Sequence, residues 1–236
     1  MIPKKIHYCW FGKSEMPISS KKCIESWKKY CPDYQIIEWN EENFNLEEYP
    51  YARFCYENKK WAFLSDFVRL VVVFKNGGLY FDTDVEVIKP FDDLLKYDAF
   101  YGFEDNNHIN TGEGFGSVKG HPIVRAMLEQ YLLLSPNSEG EFPITTCPSL
   151  NTNALLKYGL RLGGKRQNVL GAEILPVEYL NPYDDPTGRL KKTKNTYSIH
   201  WYSKSWLSKE IILRSKIMKP IHRIFGTDMF AVFRRK

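Results

Sequence analysis

Residues 77–85 read Gly-Gly-Leu-Tyr-Phe-Asp-Thr-Asp-Val, and this stretch is the most informative part of the chain. A glycine pair precedes a short apolar strand, which is followed by two carboxylates two positions apart. Because residues i and i+2 of an extended backbone point to the same side, we expect Asp82 and Asp84 to converge just past the strand. Two such oxygen donors suit Mg²⁺ or Mn²⁺, and either ion can bridge a diphosphate. By itself the triplet is also compatible with an Asp-rich turn.

The segment just before the glycines, residues 59–76, reads KKWAFLSDFVRLVVVFKN and predicts a helix that ends at Gly77. Asp66 and Arg69 are three positions apart, so they share one face of this helix. A charged pair among Phe, Leu and Val needs partners, because an unpaired buried charge is strongly unfavourable. Two interpretations stay open: a structural ion pair in the core, or a pair that faces a ligand beside the two carboxylates.

Two further blocks lie near the ends of the chain. Residues 2–12 read IPKKIHYCWFG, which predicts a first strand ending at a glycine, and residues 200–206 hold a His followed by Ser-Trp. Together with residues 65–69 and 77–85, these blocks resemble glycosyltransferase family 32, the sugar transferases with a D-x-D motif. That family includes capsular polysaccharide transferases and mannosyltransferases, and it is distantly related to the glucosyltransferase domains of clostridial toxins. The resemblance spans about residues 2–207.

The resemblance implies a fold and a metal. The fold is α/β, a GT-A nucleotide-sugar-binding fold with a mixed central sheet flanked by helices. The metal is Mn²⁺ or Mg²⁺, with Asp84 as its most direct ligand and His200 as a further one. Asp82 is expected to hold the ribose or the sugar, and to reach the metal through water. A neutral imidazole suits Mn²⁺ better than Mg²⁺.

The resemblance also assigns side chains to the donor. Trp10 is implied to stack on the nucleotide base, and Asn110 to lie beside the donor sugar. Asp66 and Arg69 are implied to orient the sugar hydroxyls and the phosphate. The remaining residues assigned to the donor are Tyr80, Ser205 and Trp206.

The implied reaction is transfer of a sugar from a nucleotide-sugar donor to a hydroxyl of an oligosaccharide or lipid-linked saccharide. The expected donor is a UDP-hexose or a UDP-N-acetylhexosamine, the expected role is capsular or exopolysaccharide synthesis, and the anomeric configuration is retained. A divalent metal would stabilise the leaving diphosphate as a Lewis acid. The sequence shows no compelling nucleophile, so same-face attack and a covalent intermediate both remain open.

Two other classes of function compete with this interpretation. Residues 81–85, Phe-Asp-Thr-Asp-Val, also match the nucleophile motif of haloacid-dehalogenase-like phosphatases, for which Asp184 and Asp185 could supply the paired acid. That motif usually opens its domain, whereas here it follows about 80 residues. A non-catalytic sugar-binding module is the third class, and the intact polar set argues against it.

Composition favours a soluble cytoplasmic enzyme. The chain has 236 residues, of which 43% are hydrophobic and 15% aromatic, as in one large domain with a sizeable core. Its longest apolar stretch, residues 70–74, is far too short to span a membrane. The five cysteines have no paired spacing, which favours reduced thiols over disulfides or a zinc site. No feature of the catalytic body indicates a nucleic-acid partner.

Charge is concentrated at the C-terminus. Residues 209–236 hold eight Lys or Arg side chains and two acids, within a total net charge of +5. This segment, interspersed with Ile, Leu and Phe, is treated as a basic amphipathic helical tail that follows a catalytic domain over residues 1–208. Such a tail can lie on an anionic membrane surface, which would make the enzyme peripheral to the inner face of the membrane. A terminal helix packed on the body, with solvated lysines, is the alternative.

The pattern of apolar residues predicts alternating strands and helices, which is typical of an α/β domain. The strands are expected at 4–11, 34–39, 79–81, 85–88, 98–104, 114–118, within 167–175 and at 196–201. The helices are expected at 19–30, 59–75, 122–134, 149–158 and 206–218, with a helical turn at 91–95. Pro220 is expected to interrupt the last helix.

Overall fold

The computed structural model describes residues 1–204 and 207–226, and at its centre is a mixed sheet of seven strands. These are β1 Lys5–Cys9, β2 Gln35–Trp39, β3 Gly78–Tyr80, β5 Ala99–Gly102, β6 Phe115–Ser117, β7 Gln167–Val169 and β8 Ala172–Leu175. Their order across the sheet is β2-β1-β3-β6-β5-β8-β7. β1 is parallel to β2 and β3, β5 is parallel to β8, and β6 and β7 are antiparallel to their neighbours.

Helices flank this sheet. In the part of the chain that the structure describes they are α1 Ile18–Tyr30, α2 Pro50–Glu57, α3 Trp61–Asn76, α4 Pro122–Leu132, α5 Cys147–Leu156 and α6 Lys209–Phe225. Successive strand residues point to opposite faces, so Leu79 and Phe81 join one buried cluster with α1, while Tyr80 joins the other with α2–α5. The sheet is therefore covered on both faces, which confirms the predicted α/β fold.

The central helix α3 ends as the sequence predicts. Gly77 and Gly78 have φ angles of 66° and 110°, in the left-handed region that favours glycine. A Cβ on Gly77 would lie 2.9 Å from the Lys119 backbone nitrogen, and one on Gly78 would lie 2.9 Å from the Lys5 carbonyl oxygen. The glycine pair thus allows the chain to turn directly from α3 into β3, and it fixes where the following carboxylates emerge.

A two-stranded ribbon lies beside the main sheet. β4, Val85–Val87, pairs antiparallel with β11, Ser198–His200, and His200 lies opposite Val85. The ribbon is fixed to α1 because Trp27, which is fully buried, donates its indole N–H to the Val85 carbonyl oxygen at 2.7 Å. This pairing brings residues 198–200 back to the segment that follows β3.

The structure departs from the predicted elements in three places. α2 was not predicted; its Tyr51, Ala52 and Cys55 are buried, and Pro50 occupies its first turn. The small hairpin of β9, Tyr183–Asp184, and β10, Arg189–Leu190, was not predicted either.

The predicted end of the last helix at residue 218 is wrong, because α6 continues through Pro220 to Phe225. Contacts outside the helix support this second half. Lys219 Nζ lies 2.8 Å from Tyr183 Oη, and Arg223 donates to the carbonyl oxygens of Thr187 and Gly188. These tertiary contacts offset the loss of the backbone hydrogen bond that a proline inside a helix removes.

Candidate functional site

The two carboxylates of the D-x-D triplet lie in the turn between β3 and β4. The Val85 N–H donates to the Asp82 carbonyl oxygen at 3.0 Å, which closes the turn. β11 then places His200 beside it, so that ligand atoms of Asp82, Asp84 and His200 all lie within 4.8 Å of one another. Three residues assigned to a metal are thus brought together, although 116 positions separate the last two.

His200 and Asp84 form the tightest contact in this cluster. Nε2 of the buried imidazole lies 3.2 Å from Oδ1 of Asp84, and the Ser203 N–H donates to Oδ2 at 2.7 Å. Burial by itself raises the pKa of Asp84, but His200 and Ser203 outweigh it and hold that pKa below its usual value. Burial lowers the pKa of His200, whereas Asp84 raises it, and the net shift is upward. Each of the two groups therefore stabilises the charged form of the other.

The donor set fits a divalent metal. Two carboxylates and one imidazole supply hard oxygen and borderline nitrogen ligands, which suit Mn²⁺ and also Mg²⁺. Nε2 is the His200 nitrogen that faces Asp84, and the buried Nδ1 has no hydrogen-bond partner within the described residues. Metal binding would require loss of the imidazole proton, because only the neutral ring is a ligand.

Arg69 links α3 to the D-x-D turn. Its Nη2 lies 2.9 Å from Asp66 Oδ1 and 2.8 Å from Asp82 Oδ1, and only 3% of its side chain is exposed. Tyr80 supports the same carboxylate, since its hydroxyl donates to Asp82 Oδ1 at 3.0 Å and its ring centroid lies 4.9 Å from the Arg69 guanidinium carbon. Tyr80 is itself buried and does not line the cavity described below. Arg69 thus forms a buried ion-pair network with Asp66 and Asp82, and both Asp66 and Arg69 also line the cavity described below.

Burial raises the pKa of both acids that pair with Arg69. Burial raises the pKa of Asp66 to about 6, against the opposing effect of Arg69 and with a further contribution from Asp82. The pKa of Asp82 is also raised by burial, with Arg69 opposing the shift. The two carboxyls of the triplet thus differ: Asp82 has a raised pKa and pairs with Arg69, whereas Asp84 has a lowered pKa and pairs with His200.

Asn110 occupies a loop that folds over the turn. Its Oδ1 accepts from the Gly112 N–H at 2.7 Å, and its Nδ2 donates to Glu104 Oε1 at 3.1 Å. The Tyr202 hydroxyl also donates to Glu104 Oε1, and Asn181 donates to the Tyr202 hydroxyl at 2.6 Å. This network connects the Asn110 loop to the segment that carries His200.

These groups face one cavity of about 800 Å³. Trp10 and Trp61 line it together with Asp66, Arg69, Asp82, Asp84, Asn110 and His200. Trp10 is partly exposed, and its indole N–H donates to the Ser14 carbonyl oxygen at 2.8 Å, which leaves its ring available for stacking. A volume of this size suits a small-molecule ligand. Ser205 and Trp206, the two other residues assigned to the donor, lie outside the described residues.

Several cavity residues were missed by sequence reasoning. Tyr202, Ser203 and Trp61 line the cavity or contact its carboxylates, and Cys147 and Pro148 open α5 against it. Cys147 Sγ lies 3.2 Å from Thr111 Oγ1, and burial raises the pKa of its thiol to about 12, so it is a protonated thiol. No local pattern identifies these residues, because each is brought to the site by a distant part of the chain.

The phosphatase alternative needs a second acid from residues 184–185. Asp185 is instead paired with two lysines: Lys204 Nζ lies 2.5 Å from Oδ2 and Lys219 Nζ lies 2.9 Å from Oδ1. These cations hold the pKa of Asp185 below its usual value, although burial by itself would raise it. The arrangement is that of a structural ion-pair cluster that fixes α6 to the body.

A protein-family model and several curated proteins match parts of this chain. Residues 17–101 match the model of the glycosyltransferase sugar-binding region containing the DXD motif. Inositol phosphoceramide mannosyltransferase 3 of Schizosaccharomyces pombe is 31% identical over 131 residues, which cover 52% of this chain and 35% of the relative. Inositol phosphoceramide mannosyltransferase 2 of the same yeast is 29% identical over 133 residues, which cover 55% of this chain and 38% of the relative. The matches thus span little more than a third of each relative.

Solved structures agree on the fold. The PaToxG glycosyltransferase superposes with a TM-score of 0.51 at 19% identity, over 66% of this chain and 69% of that one. The architecture is the GT-A fold, as predicted. Residues 17–101, which match the family model, include α3, the glycine pair and both carboxylates of the triplet. Residues 17–101 are therefore similar to the sugar-binding region of the DXD glycosyltransferases, and the resemblance predicted from the ordered sequence blocks is confirmed.

Proposed function

We propose that this chain is a metal-dependent glycosyltransferase that moves a sugar from a nucleotide-sugar donor to a hydroxyl of a saccharide acceptor. The observation that carries the proposal is the convergence of Asp82, Asp84 and His200 in a cavity that also contains Arg69 and Trp10. A metal held by the first three would act as a Lewis acid on the leaving diphosphate.

The protein groups have distinct roles in this proposal. Trp10 offers an aromatic face to the base, and Arg69 keeps Asp82 fixed for the ribose or the sugar. Asn110 is held by Gly112 and Glu104, so its amide is pre-oriented beside the donor sugar. Asp66 lines the cavity next to Arg69 and orients sugar hydroxyls.

The donor and the stereochemistry are finer parts of the proposal. We retain UDP-hexose and UDP-N-acetylhexosamine as first candidates, and the names of the two yeast relatives add a mannose donor to the set worth testing. Retention of configuration and a role in capsular or exopolysaccharide synthesis rest on the family resemblance.

The C-terminal segment suits attachment to a membrane surface. No helix in residues 1–204 and 207–226 is long and apolar enough to cross a bilayer. On α6, however, Leu213, Ile217 and Ile224 lie on one face and are 59%, 60% and 73% exposed. We propose that residues 1–208 form the catalytic domain of a cytoplasmic, peripheral enzyme, and that residues 209–236 hold it against anionic lipid, where a lipid-linked acceptor would reside.

A donor screen tests the activity. Nucleotide sugars are incubated with Mn²⁺, with Mg²⁺ or with EDTA, and release of the nucleoside diphosphate and thermal stabilisation are both measured. Metal plus the correct nucleotide should raise the melting temperature more than either alone. Asp84→Asn should keep the fold and lose turnover, whereas the exposed Asp93→Asn should behave as wild type. Full transfer in EDTA, or by Asp84→Asn, would refute the metal role.

Phosphate release from phosphomonoesters without turnover of any nucleotide sugar would favour the phosphatase class instead. Nucleotide-sugar binding without turnover, under every metal condition, would identify a non-catalytic sugar-binding module.

A further inference from the structure

A second cavity, of about 620 Å³, adjoins the first. α6 forms one side of it, the beginning of α1 forms another, and residues 201–204 form the third. Asp84, Tyr202, Ser203 and Lys204 line both cavities, so the partition between the two is thin and lies directly at the candidate metal ligand.

The partition has an unusual backbone. Tyr202 and Lys204 have φ angles of 49° and 52°, in the left-handed region that non-glycine residues seldom adopt. Such conformations cost free energy and persist where the surroundings enforce them, often at ligand sites. Here Asn181 and Asp185 hold the two side chains by hydrogen bond and ion pair.

The second cavity has an excess of positive charge. Lys204 and Lys219 share Asp185, whereas Lys22 and Lys216 line the cavity, are exposed, and have no ion-pair partner within the described residues. The cavity is lined by four lysines and three acids, Asp84, Glu86 and Asp185. Glu86 accepts a hydrogen bond from the Trp201 indole at 2.9 Å. Two lysines are therefore free to meet an anion.

The cavity also offers an aromatic face. Trp201 is 39% exposed, and its ring packs at 5.3 Å between centroids against Tyr183. An indole fixed at one edge by a hydrogen bond to Glu86 presents an apolar face to the carbon–hydrogen side of a sugar ring. An aromatic platform in a cavity lined by lysines is suited to a sugar that carries a phosphate.

We propose that this second cavity binds the phosphorylated saccharide end of the acceptor. The inference rests on the proposed function, since it gives the acceptor a place beside the metal ligands. α6 supports it with both faces: Lys216 and Lys219 line the cavity, while Leu213, Ile217 and Ile224 point outward. A phosphate held under α6 would lie about 10 Å, one helix diameter, from the surface on which that outward apolar face rests, which is the distance that a lipid-linked acceptor would have to span.

Glucose 1-phosphate is the probe, titrated by calorimetry into the full chain saturated with Mn²⁺ and UDP, so that the donor cavity is filled. Wild type should bind it, and Lys22→Gln/Lys216→Gln should weaken binding by roughly tenfold or more, because each lysine loses a charge-assisted contact. Trp201→Ala should weaken binding to a similar extent. The charge-matched control is Lys157→Gln/Lys192→Gln, two exposed lysines outside both cavities, which should stay within about twofold.

No binding of the probe to wild type, or equal loss in the two double variants, would overturn the inference. Stabilisation by Mn²⁺ and UDP is measured on the same samples. If that stabilisation is absent in wild type, the proposed function fails; if it is intact in all variants while the probe does not bind, only the acceptor site fails.

Vesicles distinguish the source of the phosphate. Two kinds of phosphatidylcholine vesicle with equal negative charge are compared. One contains about 10 mol% phosphatidylinositol, and the other contains the same fraction of phosphatidylglycerol. A selective loss of phosphatidylinositol binding by Lys22→Gln/Lys216→Gln supports a lipid-borne sugar phosphate. Loss of glucose 1-phosphate binding with no such lipid selectivity supports a soluble one.

Discussion

Replacement of Arg69 tests how the D-x-D turn is held. Arg69→Met keeps much of the side-chain volume and removes the guanidinium that lies 2.9 Å from Asp66 and 2.8 Å from Asp82. The substitution leaves two carboxylates unpaired, with 15% and 27% of their side chains exposed. Removing one partner of a buried ion pair costs about 3–5 kcal/mol. We expect the lower end, about 3 kcal/mol, because a carboxyl with a raised pKa can escape the cost by taking up a proton.

This loss should be visible as a lower melting temperature and should depend on pH. For a chain of this size, about 3 kcal/mol corresponds to roughly 6–12 °C. Without Arg69, the pKa values of Asp66 and Asp82 in the folded state rise further above their unfolded values. A group with a raised folded pKa favours folding at low pH and loses that contribution as pH increases through the folded pKa. The deficit of Arg69→Met should therefore grow between about pH 5 and pH 8.

Thermal and urea denaturation in EDTA measure this effect. Arg69→Met/Asp66→Asn should recover part of the loss and flatten the pH dependence, because one unpaired carboxylate is replaced by a neutral isostere. Arg53→Met is the matched control: Arg53 is 53% exposed, pairs with Glu47, and should cost less than about 1 kcal/mol. A deficit for Arg69→Met no larger than this control, or one that does not change with pH, would refute the reasoning.

Three further predictions concern single residues. Trp10→Ala should weaken UDP binding by about 1–3 kcal/mol in calorimetry, while the exposed Tyr158→Ala should not. Gly112→Ala places a Cβ 2.4 Å from Asp82 Oδ2 and should lower Mn²⁺-dependent nucleotide stabilisation, with overpacking costing about 1–3 kcal/mol in urea denaturation. His7 is buried, and burial lowers its pKa to about 4, so unfolding should take up a proton between about pH 4 and pH 6.5. The free energy of unfolding should therefore rise by about 3 kcal/mol across this pH range, and His7→Gln should flatten the pH–stability profile.

Hydrogen bonds explain why His7 stays neutral. Its Nε2 lies 2.9 Å from the Gly77 carbonyl oxygen and must donate, while its Nδ1 accepts from the Trp39 indole at 3.1 Å. Protonation of Nδ1 would break the second of these contacts. An unchanged pH–stability profile in His7→Gln would show that other groups set the slope.

Much of the site was predictable because its information is local. The length of α3, its end at the glycine pair, the shared face of Asp66 and Arg69, and the convergence of the D-x-D carboxylates follow from helix and strand geometry. The order of the sequence blocks indicated the family resemblance, which the match over residues 17–101 confirms.

The sequence by itself thus determined the alternation of strands and helices and the identity of the candidate site residues around the D-x-D triplet. Periodicity and spacing act over a few residues, so both can be read locally. Tertiary structure alone decided that Arg69 also holds Asp82, that β4 and β11 bring His200 to Asp84, and that α6 continues through Pro220. It also decided that α6 turns Lys219 and Arg223 toward the body and an apolar face outward. These features depend on pairing and packing between distant segments, whose free energy no local pattern records.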